Sequence, residues 1–120
     1  MGFKTYASFN YATHLPCLMK AIEKTNGDIL ELGVGLFSTP YLHYVAMLQN
    51  RKLFSYENVP EWGQYFIDYG YQNENHEIHI IDSYDKAPID KEFSVVLIDQ
   101  TPDSSRSEEI RRLKDLAKYI

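Results

Sequence analysis

Four carboxylates, Glu31, Glu57, Asp82 and Asp99, stand at the ends of short apolar runs. The first is followed at once by two glycines, in the segment D-I-L-E-L-G-V-G-L-F-S-T of residues 28–39. Gly33 and Gly35 are expected to take positive φ angles and let the backbone approach a ligand closely. A helix starting just beyond them would add unpaired amides and the positive end of its dipole. Carboxylates gathered around such a turn accept hydrogen bonds from hydroxyl and amino groups, so the pattern describes a cradle for a polar, nucleotide-like small molecule. A dinucleotide fingerprint would carry a third glycine where this chain has Ser38. Glu57 follows the turn by slightly more than the roughly 20 residues expected for an acid that holds a ribose.

Other residues with chemical capacity are more scattered. His14, near the start of the first expected helix, is a candidate base or substrate contact. His43, His76 and His79 lack a metal-like spacing and read as structural. Cys17, on the apolar side of a helix, reads as a small core residue. Tyr11, Phe37, Tyr56, Trp62 and Tyr84 are candidates for packing on a flat ligand, with Phe37 the best placed.

The elements that must position these groups follow from periodicity. Leu15, Leu18, Met19 and Ile22 recur at helical spacing, with Thr13 as cap and the helix running to about Thr25. Ile29 to Leu32 is a strand, and Thr39 as cap with Pro40 at the first position opens a second helix to Gln49. Lys52 to Glu57 is a second strand, and Pro60 to Tyr69 a third helix closed by Gly70. Glu77 to Asp82 and Phe93 to Asp99 are the third and fourth strands, joined by a loop containing Pro88. Ile110, Leu113, Leu116 and Ala117 predict a last helix from about Ser104 to the chain end. Alternation of strands and helices predicts one domain over residues 1–120, an open parallel α/β sheet of about four strands sandwiched by helices. Ligands of such sheets bind beyond the C-terminal strand ends, where the strand order reverses.

A net charge of -5 and a pI near 5.3 argue against a nucleic-acid partner, since affinity for phosphate backbones comes from clustered Lys and Arg. The single cysteine fits a reducing compartment, with cytoplasm the expectation. No apolar run reaches the roughly 20 residues of a membrane span, and the N-terminus lacks a signal-peptide layout.

With the motif E-L-G-V-G-L-F-S-T and an acid after each later strand, the chain resembles the class I S-adenosylmethionine-dependent methyltransferases. The resemblance covers about Asp28 to Ile120. It implies a Rossmann-like fold and S-adenosyl-L-methionine as cofactor. The glycine turn, with Glu31, Gly33, Gly35, Phe37 and Ser38, would hold the amino-acid end. Glu57, with Asn58 beside it, would take the ribose hydroxyls, and Asp82 with Ser83 the adenine amino group. Asp99, in I-D-Q-T-P, would face the transferred methyl, with His14 as a second catalytic candidate. The acceptor would be a small-molecule hydroxyl or amine, with no metal in this chain. Family members continue into a fifth strand and an antiparallel pair beyond the point where this sequence stops. Strand four would then lie at a sheet edge, which predicts either a truncated chain or a homo-oligomer that shields Phe93 to Asp99. Two rivals remain: a non-catalytic cofactor-binding or assembly module, and a nicotinamide-linked oxidoreductase domain.

Overall fold

Short β-branched and leucine-rich runs bounded by Asn, Gly, Asp and Pro become strands, and the longer amphipathic segments between them become helices. The computed structural model describes residues 15–88 and 91–98, together with the backbone of Ala117–Tyr119. In chain order the elements are α1 (Leu15–Glu23), β1 (Ile29–Leu32), α2 (Ser38–Gln49), β2 (Leu53–Glu57), α3 (Pro60–Asp68) and β3 (His76–Ile80). A single 3-10 turn (Tyr84–Lys86), β4 (Phe93–Ile98) and β5 (Ala117–Tyr119) follow. All strand pairs are parallel, in the order β3-β2-β1-β4-β5. The order reverses between β1 and β4, so the crevice above that pair is where ligands of open α/β sheets sit.

Register puts Ile29, Leu53 and Val95 side by side on one face, followed by Glu31, Ser55 and Leu97. That face carries the helices. Leu18 and Ile22 of α1 and Leu42 and Ala46 of α2 close over Ile29, Leu53 and Val95, and Phe66 of α3 packs with Val34 and Ile78. Each fully buried aliphatic side chain of this kind contributes about 1.5–3 kcal/mol. Gly63 lets α3 come close: a Cβ there would meet Ile80 Cγ1 at 2.9 Å.

The helices do not sandwich the sheet among the described residues. Successive right-handed crossovers from β1 to β3 progress in one direction and keep α2 and α3 on one face. The return from β3 to β4 must therefore cross the other face. That crossing contains only the 3-10 turn, and it supplies Tyr84 and Ala87 to a second core with Leu30, Leu32, Tyr56 and Val96. A trough of about 400 Å³ remains on that side, lined by Phe54, Tyr56, His79, Ile81 and Phe93 among others.

Three expectations are corrected. Ala117–Tyr119 is a strand and not the end of a helix, because β4, apolar in sequence on both faces, takes a neighbour on each side. In consequence Phe93–Ile98 is flanked by β1 and β5, and the edge strands are β3 and β5. Cys17 is exposed, since the buried stripe of α1 runs through Leu18 and Ile22 and leaves its neighbours turned outward. Among the described residues no helix is long and apolar enough to cross a membrane.

Candidate functional site

The glycine turn sits at the C-terminal end of β1, and hydrogen bonds hold its residues Gly33, Val34 and Gly35. Gly33 has φ 97°, a conformation that side-chain-bearing residues rarely take, and its N–H donates to the Tyr56 carbonyl at 2.8 Å. Val34 is gripped from both sides: its N–H donates to Glu57 Oε1 at 2.9 Å, and its carbonyl accepts from Trp62 Nε1 at 2.8 Å. The Gly35 N–H donates to Thr39 Oγ1 at 2.8 Å, while the Thr39 N–H donates back to the Gly35 carbonyl at 3.1 Å. Gly35 does not take a positive φ, because this reciprocal pair with Thr39 already turns the chain into α2. Thr39 is therefore not the cap of α2. That position falls to Phe37, whose side chain makes no capping bond, and Thr39 and Pro40 lie in the first turn.

Glu57, almost fully buried at the end of β2, is the centre of the arrangement. Its carboxylate accepts from the amides of Val34, Val59 (3.0 Å) and Asn58 and from the Tyr84 hydroxyl, which in turn accepts the Asn58 N–H at 3.3 Å. Burial pushes the Glu57 carboxyl above its usual range, against the downward pull of those donors. The acid thus joins three segments, the glycine turn, the start of α3 and the 3-10 turn.

Glu31 is wholly buried beneath the turn. Its Oε2 accepts from Ser38 Oγ at 2.7 Å and from Thr39 Oγ1 at 2.9 Å, and its Oε1 lies 2.7 Å from Ser55 Oγ. Asp82 and Ser83 are exposed just past β3. Asp82 pairs with Lys86 at 3.3 Å, and the Ser83 hydroxyl donates to Asp85. The Ile81 N–H donates to the Glu57 carbonyl at 2.9 Å, so these two residues border the same end of the sheet as the turn. Phe37 is half-buried at the start of α2. The structure thus brings Glu31, Gly33, Gly35, Phe37, Ser38, Glu57, Asn58, Asp82 and Ser83 to one end of the sheet. Asp99 and His14 lie outside the described residues, as do Tyr11 and Thr13.

Two contributors escaped sequence reasoning. Trp62 and Tyr84 read as ligand-stacking candidates but act through their polar atoms on the turn and on Glu57. The two histidines read as unconnected, His43 on α2 and His76 at the start of β3, meet through their Nδ1 atoms at 3.0 Å, and His76 Nε2 lies 2.8 Å from Ser55 Oγ. The spacing of 33 residues between them gives no local signal.

Two predictions arise here. Trp62→Phe keeps the ring that packs on Tyr65 and Phe66 but strands the Val34 carbonyl, and should cost about 1–2 kcal/mol in chemical denaturation. A cost indistinguishable from zero would show that the indole N–H does not hold the turn. The second concerns acid. Burial and the neighbouring His43 lower the pKa of His76 from 6.5 to about 3, and burial lowers that of His43 as well. A depressed folded pKa contributes stability that is complete above the unfolded value and is lost as pH falls toward the folded one. The His76 contribution should therefore fall by about 1.4 kcal/mol per pH unit below 6.5. Glu57, raised, works in the opposite sense: its contribution is complete below pH 4.5 and is lost as pH rises. The His76 slope is isolated by comparing denaturation of wild type and His76→Gln from pH 7 to 5. Parallel curves would refute it.

Among the described residues no group of three or more His, Cys, Asp or Glu side chains could hold a metal ion. The turn with its surrounding acids is a polar cradle at the reversal of strand order. Comparison with protein-family models, with curated proteins and with solved structures finds no match to the chain.

Proposed function

We propose that the chain is an S-adenosylmethionine-binding, methyltransferase-like domain of Rossmann-like type that transfers the methyl group to a hydroxyl or amine of a small molecule. The observation that carries this reading is the Glu57 carboxylate bonded to the glycine turn beside the reversal of strand order. The cofactor would lie across the ends of β1, β2 and β3, its amino-acid end at Gly33, Gly35 and Ser38, its adenine toward Asp82 and Ser83. The residues fit with one condition. Four donors occupy Glu57, about the number a carboxylate accepts, so a ribose hydroxyl binds there by taking the place of one of them. Such a cofactor supplies an electrophilic methyl, and the protein contributes mainly by holding nucleophile and methyl in line. By resemblance, Asp99 would orient or deprotonate the acceptor, with His14 as a second candidate.

Calorimetric titration with S-adenosylmethionine, its demethylated product and NAD tests the reading. Binding of the first two without NAD is expected, and binding of NAD alone overturns it. Methyl release from labelled cofactor against a panel of hydroxy and amino compounds then separates an enzyme from a module that binds without transfer.

A further inference from the structure

Among the described residues, most of the large apolar side chains that reach water belong to the helical layer. Tyr44, Met47 and Leu48 of α2, with Tyr65 of α3 and Tyr69 at its C-terminal cap, are 39% to 86% exposed. α2 packs against β2, with α1 against β4 to one side and α3 against β3 to the other, so it is the middle helix of the three. Its twelve residues, S-T-P-Y-L-H-Y-V-A-M-L-Q, include no Asp, Glu, Lys or Arg. Thr39, Leu42, His43 and Ala46 are buried toward the sheet. Along the outer side, Tyr41, Tyr44 and Leu48 follow at intervals of three and four residues, the spacing of a coiled-coil seam. A helix apolar on every side is normally covered on every side, and the sheet covers only one.

Charge is confined to the helices on either side, and its sign differs between them. The α1 side exposes Lys20 and Lys24 with the single acid Glu23, while α3 exposes Glu61 and Asp68 and contains no basic residue. Among the described residues no ion pair engages Lys20, Lys24, Glu61 or Asp68. The outer surface is therefore an uncharged aromatic and aliphatic band with a basic margin and an acidic one. Tyr and Met are types that the cores of protein interfaces favour, and charged residues are those they exclude.

We propose that this band is the interface of a homodimer, with a two-fold axis running along α2 so that the helix lies against its counterpart in a second copy of the chain. Tyr41, Tyr44 and Leu48 then meet the same residues across the axis. The same rotation carries α1 of each copy over α3 of the other, so that both basic margins face acidic ones. A partner of uniform charge would be repelled at one margin, whereas a second copy turned in this way is repelled at neither. The available area is sufficient. The five exposed side chains offer roughly 600 Å² at about 200 Å² for each large residue, which fills the apolar two-thirds of the roughly 800 Å² that each partner buries in a standard interface.

Sedimentation velocity of the full chain without any ligand, over a concentration series, should show a dimer that dissociates to monomer on dilution. A chain that is monomeric throughout overturns the proposal. Leu48→Glu sets two acids against each other at the axis on a side chain that is 86% exposed, so the fold, read by circular dichroism, is kept. Its dissociation constant should rise roughly 30-fold or more, the size of a hot-spot loss. Lys20→Glu with Lys24→Glu should weaken the dimer as well, and adding Glu61→Lys with Asp68→Lys to the same chain should restore it. A folded Leu48→Glu protein that dimerises as wild type does overturns the proposal and moves the contact to another surface, such as the edge strands β3 and β5. Failure of the second pair of reversals to restore, in folded protein, what the first pair removed overturns it too.

Discussion

Glu57→Ala is expected to cost about 3–5 kcal/mol of folding stability and to remove ligand affinity with it. The carboxylate receives the amides of Val34, Val59 and Asn58 and the Tyr84 hydroxyl, and truncation leaves these donors facing a cavity. A single buried orphan costs about 1–3 kcal/mol. Water entering the space and relief of the buried charge offset part of the sum, which is why the expected loss lies below the simple total. Glu57→Gln separates shape from charge: one oxygen still accepts, while the amide nitrogen confronts a backbone N–H, so the variant should fall between wild type and alanine. Urea denaturation gives the stability, and titration with S-adenosylmethionine under folded conditions gives the affinity. An alanine variant as stable as wild type would show that the turn holds itself.

The other large effect lies at the opposite end of the strands. Arg51 is 2% exposed, and no carboxylate hydrogen-bonds to it among the described residues. Its guanidinium donates to the carbonyls of Gly27 (2.7 Å), Ile22 (3.3 Å) and Thr25 (3.4 Å), to the Thr25 hydroxyl (2.9 Å) and to the Gln49 side chain (3.1 Å). The planar fork thereby closes the C-terminal end of α1, where unsatisfied carbonyls and the negative end of the helix dipole favour a cation. Burial lowers its pKa, while Asp28 nearby raises it. Arg51→Met should cost about 3 kcal/mol or more, and Arg51→Lys should recover only part, since an ammonium cannot reach in three directions at fixed geometry. Ligand affinity per folded molecule should be unchanged in both, in contrast to Glu57→Ala. A methionine variant within about 0.5 kcal/mol of wild type would mean that water satisfies those carbonyls equally well.

Much of this fold is legible in local pattern. The four main strands, the first three helices and the loop around Pro88 follow from apolar spacing and from punctuation by Asn, Gly and Pro, with boundaries displaced by at most two residues. The position of Glu57 relative to the turn is also legible, because parallel strands of similar length bring their ends to one level. What stays hidden depends on contacts distant in sequence. Nothing near Trp62 says that its N–H reaches Val34, 28 residues earlier, and nothing near His43 points to His76. Ala117–Tyr119 carries part of a helical repeat, yet pairing with β4 decides its conformation, as tertiary context often overrides a short local preference. The one-sided placement of the helices follows from the handedness of crossovers combined with strand order, and strand order is not written in any single segment.

Loops that receive ligands are usually among the first parts of a protein to open, and their amides trade hydrogen for deuterium quickly. The Val34 amide departs from that habit, being bonded to a buried side chain while its own carbonyl is held by an indole. In deuterated solvent it should exchange on the timescale of the central strands and not of the surface loops. A turn so fixed has little disorder left to lose when a ligand arrives, so its association should be quick and carry only a small entropic penalty from the protein side.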